Sequence, residues 1–251
     1  MISQVRQTAE IQYSSFLSLY VFAASVEFVM LLFLVPAMTA GSISGERERR
    51  TLNLLLTTKM TAGDVVIGKL AANLSTILLL IVSSFPILAL VFIYGGITIL
   101  DAALLLLCYV TTAFLTGSIG VFCSAYFRKS TIATVASYCI MVLLSLGTVA
   151  AYELSGVLGH GSGFNGSSGF FYLMLFNPGA TFRSVLSSQI GAGNEIADFF
   201  PWLEQGPVSF VSEHWMLFGT VTQIGLAVVL VWLAVRKVEP VKRRSAKKIK
   251  H

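Results

Sequence analysis

Two short strings in this chain carry residue types that could do catalysis. Gly63-Asp-Val-Val-Ile-Gly68-Lys69-Leu70 nearly spells a phosphate-cradling loop. That loop needs Ser or Thr after its lysine to hold magnesium, and a strand before it. Leu70 stands in the hydroxyl position, and the preceding leucine-rich segment reads as helix. Gly166-Ser-Ser168-Gly169 has the form of an intramembrane serine nucleophile, which needs a histidine base on a neighbouring membrane helix. The histidines are His160, His214 and His251, in a loop, at a span edge and in the tail. HExxH and CxxC patterns are absent from the sequence. Cys108, Cys123 and Cys139 lie inside apolar runs and read as small buried hydrophobes. Catalytic residues are therefore not expected, nor a metal site or a cofactor bound by this chain.

The elements that would position any site are apolar helices. The chain has 251 residues, 55% of them hydrophobic and 12% charged, with a mean hydropathy of +0.81. Soluble domains carry about 25% charged residues. A hydrocarbon core about 30 Å thick needs roughly 20 apolar residues per helix. Such runs occur at Tyr20–Ser42, Leu70–Tyr94, Ala102–Tyr126, Ile132–Ala151 and Trp215–Val235. The expected fold is a single all-α integral membrane domain over residues 1–251, with five transmembrane helices. Residues 1–19 form an external segment, 43–69 a cytoplasmic loop, 152–214 a long external loop with short helices, and 236–251 a basic tail.

Lysine and arginine set the direction. With the 43–69 loop inside, every Lys and Arg except Arg6 and Arg183 is cytoplasmic. This predicts an external N-terminus and a cytoplasmic C-terminus. The net charge of +5 sits beside membrane segments, as orientation signals do, which argues against nucleic acid and for membrane lipid as the tail's partner.

Within the spans, Pro36 and Pro86 should each kink a helix. Glu27 falls in the outer third of the first span and Asp101 at the outer end of the third, and both read as interfacial carboxylates. In the external loop, Asn177-Pro178 opens a helix whose Phe182, Val185, Leu186 and Ile190 share one face before Gly191 ends it. Phe199, Phe200, Trp202 and Leu203 form a second aromatic cluster. These segments read equally as helices dipping into the outer leaflet or as an external cap.

The remaining feature is the charged string GERERRTLNLLLTT, Gly45–Thr58, between the first two spans. Gly45 is expected to break the first span, and Glu46 and Glu48 suit the first turn of a new helix. Thr51, Leu52, Leu54, Leu55 and Leu56 would give it an apolar ridge. Asp64 is placed to cap the helix of the second span. The residues alone fit a helix gripping a soluble partner and a helix lying among lipid headgroups equally well.

The string SISGERERRTLNLLLTTKMTAGDVVIGKLAANL, Ser42–Leu74, resembles the first cytoplasmic loop of type-2 ABC transporter permeases. Those proteins carry Gly-Glu-Arg-Glu, then Thr-Leu-x-Leu-Leu, then Gly-Lys-Leu between their second and third spans. The resemblance implies a coupling helix docking on a separate ATP-hydrolysing subunit. Gly45, Glu46, Arg47, Glu48 and Arg50 would supply its turn and polar contacts. Thr51, Leu52, Leu55 and Leu56 would pack at the partner's groove or on the bundle. Gly68 and Lys69 would mark the turn into the next span. The family begins with a cytoplasmic helix and a further span, so the five spans here correspond to its second to sixth.

The function this implies is the permease subunit of an ABC transporter, an exporter, in a prokaryotic cell membrane. It would pair with itself or a related permease, and ATP and Mg would be bound by the ATPase partner. The alternative is an ABC-linked sensor or immunity subunit that moves no substrate; a membrane enzyme or a channel ranks below both.

Overall fold

A computed structural model describes residues 2–50, 61–94, 98–152, 154, 172–190, 211 and 214–238, with the side chains of 2–15 and 85–94 left out. The described residues are helical, with no strand among them. Five helices are long and apolar enough to cross a membrane. In chain order the elements are α1 (Ile2–Thr39), α2 (Ser44–Glu48), α3 (Ala62–Tyr94) and α4 (Ile99–Tyr126). Then come α5 (Ser130–Val142), which runs on through a π-helical segment Leu143–Gly147, α6 (Pro178–Ile190) and α7 (Trp215–Val238). α1, at 38 residues and about 1.5 Å per residue, is far longer than one bilayer crossing requires.

α4 is the centre of the bundle. It packs against α1, α3, α5, α6 and α7, and half of its most apolar stretch is buried, against 22–28% for the other four spans. Its composition explains this. Ala113, Gly117, Ser118, Gly120, Ser124 and Ala125 are small and buried, and small residues let helix backbones approach where lipid offers no hydrophobic drive between helices. Several buried hydroxyls bond within the helix, as Thr116 Oγ1 does on the Thr112 carbonyl at 2.8 Å. α4 starts with a reciprocal cap, in which the Thr98 hydroxyl accepts from the Asp101 N–H and the Asp101 carboxylate accepts from the Thr98 N–H. Asp101 thus lies at the helix end, as its sequence position suggested.

At this Asp101 end, α6 packs against α1, α4 and α7. Asn177 caps it by accepting from the Gly179 N–H at 2.8 Å, and Pro178 takes the first helical position, where no N–H is missed. Phe182, Val185 and Leu186 are buried, and Ile190 packs on the same core. Phe182 stacks on Phe28 with ring centroids 4.2 Å apart and lies beside Tyr109. The helix is tied at its far end by Tyr20, whose hydroxyl donates to Gln189 Oε1 at 2.6 Å. Gln189 Nε2 in turn donates to the Asp101 carbonyl at 2.7 Å.

Pro36 lies inside α1, three residues before its end at Thr39. One expectation needs adjustment. Cys108 and Cys123 are buried as expected, but Cys139 is exposed on the outer face of α5. Position 86 lies within α3, its side chain outside the described set. The 199–203 aromatic cluster, the Gly166 string and the tail beyond Val238 are also outside the described residues.

Candidate functional site

The opposite end of the bundle gathers the C-termini of α1, α4 and α7 with the N-termini of α3 and α5. Its apolar floor is Ile43, Ala62, Val66, Leu70, Val121, Ala125, Ala234 and Val238. α1 ends before the charged string, in a turn where the Thr39 hydroxyl donates to the Val35 carbonyl and the Ser42 hydroxyl to the Thr39 carbonyl. Gly45 therefore does not break the first span; it lies inside α2 with open space around it. The chain turns out of α2 at Arg50, whose φ of 59° is left-handed. That conformation is costly for a residue with a side chain.

α2 is clamped to three neighbours by its own charged side chains. Glu46 pairs with Lys69 of α3, and Lys69 Nζ also donates to the Ser42 carbonyl at 2.8 Å. The Arg47 guanidinium donates to the Ala125 and Phe127 carbonyls at 3.2 and 3.4 Å. These carbonyls lie at the C-terminus of α4, where backbone acceptors lack helical donors and a cation is favoured. Glu48 Oε1 accepts from the Ser130 N–H at 3.0 Å, a free donor at the start of α5 where an anion is favoured. From below, Ser124 Oγ of α4 accepts from the N–H groups of Ile43 and Ser44, both at 2.9 Å.

Glu46 and Arg47 are thus half-buried and committed within the chain, and Glu48 is tied though exposed. Arg49 and Arg50 are exposed. Thr51, Leu52, Leu55 and Leu56, with the rest of 51–60, lie outside the described residues. Ser124, Ser130 and Ser42 went unnoticed in the sequence. A lone Lys69 within an apolar span was the available signal for an ion pair, but Asp64 and Glu48 are both nearer to it in the sequence than Glu46.

The start of α3 also differs from expectation. Thr61 is its N-cap, with its hydroxyl accepting from the Asp64 N–H at 3.2 Å and the Asp64 carboxylate accepting from the Thr61 N–H at 2.9 Å. Asp64 is the third helical residue of a capping box rather than the cap itself. Because helix begins there, Gly68 and Lys69 lie well inside α3 instead of marking a turn into it.

A family model described as ABC-2 family transporter protein matches residues 3–238. The chain belongs to that family. No curated protein matches it in sequence. As an ABC-2 membrane subunit it is a multi-pass permease, and the clamp around α2 occupies the loop between its first two spans. Eight of the described basic residues of the permease gather at this end, Arg47, Arg49, Arg50, Lys69, Arg128, Lys129, Arg236 and Lys237, while Arg183 lies on α6 at the other. Two of the eight are laid against rings, Arg236 over Trp232 at 3.6 Å and Lys237 over Tyr126 at 4.9 Å.

Proposed function

We propose that this ABC-2 permease couples ATP hydrolysis by a separate ATPase subunit to export of a substrate. Two copies, or this chain and a related permease, would form the pathway, and ATP and Mg would sit in the partner. The observation that supports the reading best is the clamp itself. A short helix tied to α3 by Glu46, to the end of α4 by Arg47 and to the start of α5 by Glu48 cannot be pushed without moving three spans. Coupling requires that property, and a helix resting among lipid headgroups does not.

The division of the charged string follows from it. Glu46, Arg47 and Glu48 hold the lever to the bundle, and Arg49 and Arg50 present cations outward to the ATPase. Gly45 leaves the helix surface bare for close approach. The concentration of Lys and Arg at this end favours its lying in the cytoplasm of a prokaryotic cell membrane, with the Asp101 end and α6 outside.

The test is affinity purification of the full chain from its native cell in mild detergent, assaying the eluate for ATP hydrolysis. The parent is expected to bring down an ATPase, and the Arg49→Glu/Arg50→Glu variant to lose it while keeping the parent's elution profile on gel filtration. A parent that recovers no ATPase activity would sink the reading, as would a variant that retains the partner in full.

A further inference from the structure

We infer that a cavity between α1 and α3 binds a lipophilic organic cation, with the Glu27 carboxylate as its anionic contact. As a substrate class this rests on the permease reading, but the binding itself does not. The cavity measures about 390 Å³, within the range of small-molecule sites. Its walls are carbon: Phe22, Val26, Met30, Ile77 and Leu80 line it. The polar atoms on it come from Glu27 and Ser84.

Glu27 is unusual for its surroundings. It sits twelve residues before the end of α1, about 18 Å along the axis at 1.5 Å per residue, well away from the basic end. An acidic side chain at membrane depth is disfavoured by a few kcal/mol and marks a functional position unless a partner neutralises it. Here the contact is Ser84, whose hydroxyl donates to Glu27 Oε1 at 2.6 Å. A neutral hydroxyl orients a carboxylate but does not balance its charge. Among the described residues, no Lys, Arg or His forms an ion pair with Glu27.

An occupant that brings a positive charge and matches the walls would answer both. A metal ion does not fit, because one carboxylate and one hydroxyl fall well short of the six to eight oxygens that a hard cation such as calcium takes. A lipid acyl chain would match the walls yet leave the carboxylate facing hydrocarbon. A cation carried on an apolar body satisfies both, with the Phe22 ring as a further favourable face. The cavity opens at Phe22, Met30 and Leu80, which are 66%, 57% and 48% exposed, so a ligand would enter sideways from the bilayer.

The experiment uses two ions of the same shape and opposite charge. Equilibrium dialysis of tetraphenylphosphonium and tetraphenylborate is run against the purified full chain in an uncharged detergent, with no ATPase present. The wild type is expected to prefer tetraphenylphosphonium. Glu27→Gln should weaken that ion roughly tenfold without weakening tetraphenylborate, and Glu27→Asp should keep most of the preference. Ala23→Trp, which fills the cavity at a lining position, should lower binding of both ions and covers the case in which Glu27→Gln does not fold. Equal binding of the two ions by wild type would overturn the inference, and so would tetraphenylphosphonium binding unaffected by either Glu27→Gln or Ala23→Trp. Because the ATPase is absent, failure here and failure of the coupling test remain separate results.

Discussion

Asn177 donates its side-chain amide to the Ser145 carbonyl at 2.9 Å, in the middle of the π-helical turn Leu143–Gly147. The same nitrogen lies 2.8 Å from Thr148 Oγ1, and its oxygen caps α6. A π turn leaves carbonyls of a helix without their usual donors, and in a membrane each needs another. The residue that opens α6 is therefore also one that bonds the π turn of α5. Gln223 of α7 joins the group by donating to Thr181 Oγ1 at 2.8 Å and to the Asn177 carbonyl at 3.3 Å. Three helices meet at one amide.

Asn177→Asp separates its two roles, since a carboxylate can still cap α6 but cannot donate to Ser145. Asn177→Ala loses both. We expect the Asp variant to lose about 1 kcal/mol with the Asn177 hydrogen bond, the Ser145 carbonyl keeping the Thr148 hydroxyl at 3.2 Å, and Ala at least as much. Thermal unfolding of the purified variants in detergent checks this. An Asp variant as stable as the parent would mean that the link to α5 contributes nothing.

Gly120 of α4 lies tightly against the end of α1. A Cβ placed there would lie 2.9 Å from Thr39 Cβ and 3.2 Å from the backbone nitrogen of Ala40. Gly120→Ala should therefore cost about 1–3 kcal/mol by overpacking. Adding Thr39→Ala should recover part of that loss but not all, because the Ala40 backbone stays. Gly45→Ala is the control: with nothing within 4 Å and helical backbone, it should be neutral or stabilising by up to about 1 kcal/mol. Melting temperatures of the four proteins test the ordering, and a Gly120→Ala protein as stable as wild type would refute it.

Glu46 and Lys69 should behave as a pair. Both are only 25% exposed, between the exposed pairs that contribute little and the buried ones whose breaking is severe. Either Glu46→Lys or Lys69→Glu is expected to lower stability by about 1–2 kcal/mol. The exchange of both should restore most of it, together with recovery of the ATPase partner. If the double exchange were no better than the worse single variant, the pair would not be what holds α2 to α3.

Much of this arrangement is written in residue types. The five spans follow from apolar runs; the third starts three residues early at its Thr98–Asp101 cap, but the second starts eight residues before Leu70 because Thr61 and Asp64 cap it there. α6 was legible because Asn177-Pro178 is a helix start and Phe182, Val185 and Leu186 recur on one face. The π turn was not, since nothing in Leu143–Gly147 marks it and its partner lies 32 residues away. The inward commitment of Arg47 and Glu48 was equally hidden. Their partners are the Ala125 and Phe127 carbonyls and the Ser130 N–H, backbone groups that any residue would offer. A charged string reads as outward-facing until helix ends are known to converge on it.

The position of α4 as common neighbour has a consequence for how the protein is made. α1 and α3 leave the ribosome before α4 and share a contact that includes the Glu27–Ser84 bond. The surfaces that later receive Gly117 and Gly120, around Leu70 of α3 and Thr39 of α1, face lipid until the third span arrives. Assembly in the membrane is therefore gated by synthesis through Tyr126. A nascent chain stalled before that point would present an unfinished seam, the state that membrane quality-control proteases and insertion chaperones would meet.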